Sequence, residues 1–132
     1  YLIKKGFKIK DFGTRSLERC DYPFFAASLA KAISQKKYSR GILICKTGIG
    51  SSIVANRFPG VRAGLCYNKE VAQLTREHND SNVLVLGSGF VSEKEAKKIL
   101  DLWLETKFIG GRHKRRVNQI KKIEKEIGAK VK

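Results

Sequence analysis

Methionine is absent from this chain of 132 residues, proline occurs only twice, and the acidic residues number 12 against 28 lysines and arginines. Each shortage excludes something. Without methionine the chain holds no initiator, so its native start is expected upstream, and the opening YLIKKG reads as the last turn of an amphipathic helix closed by Gly6. No apolar run approaches the roughly 20 residues of a bilayer span, and no charged, apolar, small-residue succession marks a leader. A cytoplasmic chain with no membrane partner is the expectation. The cysteines, Cys20, Cys45 and Cys66, are odd in number and widely spaced, with no CxxC or His-rich partner. That pattern argues against a disulfide framework and a zinc site and leaves free thiols. No metal or cofactor is expected, and there are no internal repeats.

The positive surplus, +16 in all, is uneven: residues 112–132 hold nine Lys or Arg against two Glu. A basic helix over about 111–127 could follow a phosphate backbone. No aromatic-interleaved motif accompanies it, so nucleic acid is not expected as the main partner.

Strand-like and helix-like stretches alternate. FKIKDF (Phe7 to Phe12) has strand periodicity and is followed by a turn at Gly13-Thr14; Pro23 to Gln35 places alanines and leucine at helical spacing behind a proline suited to a first turn. GILIC (Gly41 to Cys45) is wholly apolar, as in a strand buried on both faces. A helix then begins in a glycine loop and ends before Pro59. VRAGLC and VLVLG read as strands, NKEVAQLTREHN and SEKEAKKILDLWLET as helices, the latter with Ser92 as cap and Glu95 at the capping-box position. The alternation implies one α/β domain over residues 1–132: a Rossmann-like three-layer sandwich, with a parallel sheet and helices on both faces. Ligands of such sheets bind beyond the carboxyl ends of the strands.

One such end carries CKTGIGSSIVANRFPG (Cys45 to Gly60). The loop TGIG either cradles an anion with its backbone N–H groups or is only a tight turn, since it matches neither the dinucleotide fingerprint nor a complete P-loop. Cys45, facing a helix start, is either a thiol held ready as thiolate or a small buried hydrophobe; Cys20 and Cys66 fit the second description better. REHNDSN (Arg76 to Asn82) gathers His78, two asparagines and an aspartate just before a strand, where His78 taken alone would be a helix C-terminal cap. In GGRHKRR (Gly110 to Arg116), Arg112 and Arg116 lie one turn apart and either grip a phosphate or form a solvated face.

Taken together, GILICKTGIGSSIVANRFPGVRAGLC, REHNDSNVLVLG and FIGGRHKRRV, preceded by DFGT and DYPFFA, closely resemble the ribose-5-phosphate isomerase type B family, which includes the galactose-6-phosphate isomerase subunits. The resemblance runs over essentially the whole chain. It implies a Rossmann-like fold that forms a homodimer or dimer of dimers with active sites shared between subunits, and a cofactor-free interconversion of ribose 5-phosphate and ribulose 5-phosphate through an enediolate. It implies also that the family's first strand, with an aspartate and a histidine that help bind the sugar, lies upstream of Tyr1.

By the same resemblance Cys45 is the base that moves the proton, His78 the acid that opens the furanose, and Thr47 a catalytic neighbour that positions the sugar with Asn79. The loop Lys46, Thr47, Gly48, Ile49 and Gly50 meets substrate, the N–H groups of Thr47 to Gly50 holding the developing oxyanion, while Arg112 and Arg116 take the phosphate. Two departures stand out: Lys46 replaces a glycine usual after the cysteine, and Gly89, in GSG, replaces an arginine usual there. They leave open a galactose-6-phosphate isomerase subunit, or a non-catalytic relative whose basic tail engages nucleic acid or another acidic partner.

Overall fold

A computed structural model of the chain describes residues 1–13 and 21–131, with side chains to Gly128; Thr14 of the expected turn and Cys20 lie outside the described residues. A single 3-10 turn, Ile3–Lys5, opens the chain and is closed by Gly6, whose N–H donates to the Ile3 carbonyl. Then follow α1 (Tyr22–Ser34), β1 (Gly41–Cys45), α2 (Ile49–Ala55), β2 (Ala63–Leu65), α3 (Lys69–Asn79), β3 (Val83–Gly87), α4 (Glu93–Glu105) and α5 (Arg112–Val131). Helix starts follow the local chemistry. Pro23 sits in the first turn of α1, Asn68 Oδ1 accepts the Val71 N–H at the start of α3, and Ser92 Oγ accepts the Glu95 N–H at the start of α4.

The strands form one parallel sheet in the order β1-β3-β2. Register runs from Gly41 opposite Val83 to Cys45 opposite Gly87, and Ala63 also faces Val83. β3 is buried along its whole length, as a central strand covered on both faces must be. Ala26, Ala30, Ile33 and Ala55 of α1 and α2 pack on one face with Leu43, Val83 and Val85. Ala72, Ile99, Leu100 and Trp103 of α3 and α4 pack on the other with Leu84 and Leu86. The three layers expected from the alternation are present.

Two expectations are corrected. FKIKDF forms no strand: its alternation marks two faces, but a ladder also needs a partner, and Phe7 and Ile9 stand exposed instead. GILIC is not buried on both faces, because β1 is an edge strand and Ile44 is 66% exposed. On that side the cover reaches only Ile42, where Leu2 packs into the same cluster.

The polar interior is tied at Trp103, whose Nε1–H donates to the buried Ser81 hydroxyl at 2.9 Å. Trp103→Phe leaves that hydroxyl without its donor, and urea unfolding is expected to show a loss of about 2 kcal/mol. An unchanged midpoint would mean the bond adds nothing to stability.

Candidate active site

β1 ends at Cys45 and the chain reverses within a few residues. Gly48, at φ 81°, takes the left-handed turn that aims α2 back over the sheet. A side chain there would also put its Cβ 2.5 Å from Leu65 Cδ1. The reversal wraps donors around the thiol: the Gly48 N–H lies 3.1 Å from Cys45 Sγ, and the Ser51 hydroxyl lies 3.2 Å from it. Ser51 is 3% exposed, so its hydroxyl is committed to the sulfur. It was not among the candidates; the spacing of a strand-end cysteine and a serine one turn into the next helix is the signal that points to it.

The other loop groups divide between structure and opportunity. Thr47 Oγ1 accepts the Ile49 N–H at 3.2 Å, whereas the N–H groups of Gly50 and Ser51 have no hydrogen-bond partner among the described residues. Lys46 is exposed, and its carbonyl accepts the Gly89 N–H at 2.8 Å. The Ser88 N–H likewise reaches the Cys45 carbonyl at 2.8 Å, stitching the loop to the chain after β3. The Thr47 carbonyl lies against Gly87, where a Cβ would come within 2.5 Å of its oxygen. Cys66 differs sharply from Cys45: it is fully buried, and burial pushes its thiol up to about 12.

His78, Asn79, Arg112 and Arg116 form a second group. His78 and Asn79 end α3, and Arg112 begins α5. His113 and Val117, one turn apart, are the buried face of α5, so Arg112 and Arg116 point outward. The rings of His78 and His113 stack with centroids 4.0 Å apart and planes at 8°. Burial, then the charges of His78, Arg112 and Arg116, hold His113 below the ordinary histidine range, against a smaller opposing pull from Glu77. His113 was missed as a candidate although it lies inside GGRHKRR; a helical wheel separates it from the two arginines, which marks it as the inward residue.

These two groups occupy opposite edges of the sheet. Cys45 stands at the carboxyl end of β1, opposite Gly87, while His78 lies a few residues before Val83, which pairs with Gly41 at the amino end. Across a five-residue strand the edges are about 13 Å apart, and proton transfer needs contact near 3 Å. Within one chain, therefore, Cys45 and His78 do not meet. Among the described residues no group of three or more His, Cys, Asp or Glu is placed to hold a metal ion, and no helix is long and apolar enough to cross a membrane.

A profile of the Ribose/Galactose Isomerase family matches residues 1–120. Ribose-5-phosphate isomerase B of Escherichia coli is 48% identical over 124 residues, covering 94% of this chain and 83% of its own. Among solved structures, ribose-5-phosphate isomerase B of Clostridium thermocellum superposes with a TM-score of 0.93 at 47% identity, covering 96% of this chain and 85% of that one. The Mycoplasma genitalium enzyme, solved with bound ribulose 5-phosphate, gives 0.91 at 41% identity, covering 95% and 84%.

The His113 environment has a consequence for stability. A histidine that binds its proton less readily when folded than when unfolded makes stability rise with pH, from its folded value up to about 6.5. Stability is thus expected to fall as pH drops below about 6.5, and His113→Gln to flatten that decline. Urea midpoints between about pH 7.5 and 5.5 measure it; an equal slope in the variant would show that His113 does not carry the dependence.

Proposed function

We infer that this chain, which belongs to the ribose/galactose isomerase family, works as a ribose-5-phosphate isomerase, interconverting ribose 5-phosphate and ribulose 5-phosphate. The observation that carries the assignment of its base is the Cys45 sulfur at the mouth of the glycine loop, holding two donors. Isomerisation takes a proton from C2 of the opened aldose, passes through an enediolate and returns a proton to C1. Donors aimed at sulfur favour the thiolate that accepts the first proton. The open N–H groups beyond Gly48 supply hydrogen bonds to the enediolate oxygen where its charge develops. His78 delivers a proton to the ring oxygen as the furanose opens, Thr47 and Asn79 position the sugar, and Arg112 and Arg116 hold the phosphate with forked donors.

Because the Cys45 and His78 edges of one chain are too far apart for one sugar, the active site takes its halves from two copies, in a homodimer or dimer of dimers. Exchange of subunits tests this directly. Cys45→Ala and His78→Asn should each be inactive alone. Mixed and reassociated, they should regain about a quarter of wild-type turnover, since half the dimers carry one intact site of two. No recovery from a mixture shown to contain heterodimers would place the whole site within a single chain. Full activity of Cys45→Ala alone would remove the cysteine as base.

Lys46 and Gly89 act as a compensating pair in this reading. A Cβ at position 89 would lie 3.0 Å from the Lys46 carbonyl oxygen and 3.4 Å from its Cγ, so the lysine stem borders the space that a side chain at 89 would enter. Its ammonium supplies the phosphate-attracting charge there, as a point charge without a forked geometry. Lys46→Gly is expected to raise KM several-fold, and Lys46→Gly with Gly89→Arg to restore it. Improved turnover from the single change would show instead that the lysine obstructs the sugar.

A further inference from the structure

Tyr67 has no role in the chemistry described so far. It follows β2 on the far side of β3, yet its hydroxyl crosses the sheet edge to donate to the Thr47 carbonyl at 2.8 Å. Its ring stacks on Phe90, with centroids 5.3 Å apart and planes at 13°. Being 37% exposed, Tyr67 is not a core residue whose hydroxyl merely needed a partner.

The carbonyl it grips belongs to the same peptide unit as the Gly48 N–H, which donates to Cys45 Sγ at 3.1 Å. A peptide unit is planar and rigid, so fixing its oxygen fixes the direction of its N–H. The same unit is confined from below. At Gly87 a Cβ would lie 2.5 Å from the Thr47 oxygen and 2.8 Å from its carbon, so the bare glycine backbone forms the floor on which it rests.

We propose that Tyr67 is a positioning residue for the isomerisation: its hydroxyl, steadied by the Phe90 stack, clamps the Thr47–Gly48 peptide against Gly87 so that the Gly48 N–H stays aimed at the Cys45 sulfur. The proposal rests on the reading of Cys45 as the base. The hydroxyl does more than orient. A donor on the carbonyl polarises the amide and strengthens the donor at its other end, and a stronger donor to sulfur favours the thiolate over the thiol. Phe90 acts one step removed, by keeping an exposed ring from swinging off the carbonyl.

Tyr67→Phe removes one oxygen and leaves the ring stack in place, so the full chain is expected to fold as before. The direct readout is the rate at which iodoacetamide alkylates Cys45 at one fixed pH near neutrality, followed on the peptide that carries Cys45. It is expected to fall about fivefold, the effect of one hydrogen bond, with kcat falling in step and KM unchanged. Phe90→Ala should shift both rates in the same direction but less. General loosening of the loop would do the opposite, exposing the thiol and speeding alkylation, and an unchanged or faster rate in Tyr67→Phe overturns the proposal. If alkylation slows while turnover holds, the clamp on the peptide stands and the assignment of Cys45 as the base falls.

Discussion

A parallel sheet has two unlike edges, and in this protein the placement of the Cys45 and His78 groups depends on that asymmetry. Every strand points the same way, so each strand-to-helix loop emerges at one edge and each helix returns to the other. The TGIG loop, Tyr67 and the Ser88-Gly89 segment all follow strands and therefore meet above Cys45. The last turn of α3 precedes a strand and carries His78 to the opposite edge, where α5 brings His113 beside it. One chain thus places the Cys45 group and the His78 group at opposite ends of its strands. No adjustment of side-chain rotamers could merge them, because the separation is the length of the strands themselves.

Close approach is the second constraint. A tight reversal over the end of β3 is possible only where backbone can lie on backbone, as Thr47 does on Gly87, and where no side chain meets Leu65, as at Gly48. With the loop seated that low, its donors converge on the Cys45 sulfur from Gly48 and Ser51. Cys66 shows what the same side chain becomes without such donors, buried in the apolar layer under α3 and α4 with its proton firmly held. Two cysteines of one chain therefore sit in opposite environments, one among hydrogen-bond donors and one among apolar side chains.

At the other edge, α5 sorts its residues by helical phase. The inward turn gives His113 and Val117 to the packing on α3, and the next face gives Arg112 and Arg116 to solvent. Burial disfavours charge on the imidazole, and the charges of His78, Arg112 and Arg116 add to that, holding His113 below the ordinary histidine range. The exposed lysines farther along, Lys121, Lys122 and Lys125, have no such arrangement around them and form a solvated face.

Local rules in the sequence were enough to find α1, α2, α3 and α4, the Ser92 cap of α4, the apolar strands, and the family, because periodicity, Ser92 and the glycine loop act over a few residues at a time. The strings around Cys45, His78 and Arg112 carried the family resemblance for the same reason: each is a contiguous stretch, legible without its neighbours in space. Other features depended on neighbours distant in the chain. FKIKDF alternates like a strand yet finds no ladder, and Ile44 belongs to an apolar run yet faces outward, since pairing and cover come from elements elsewhere. The sequence signals only the positions of Ser51 and His113 and gives no sign of Tyr67, because a hydroxyl or a ring gains its contacts only when folding places a sulfur, a second imidazole or a particular carbonyl within reach. Sequence determined which groups the protein possesses; the direction of its strands decided which of them could meet.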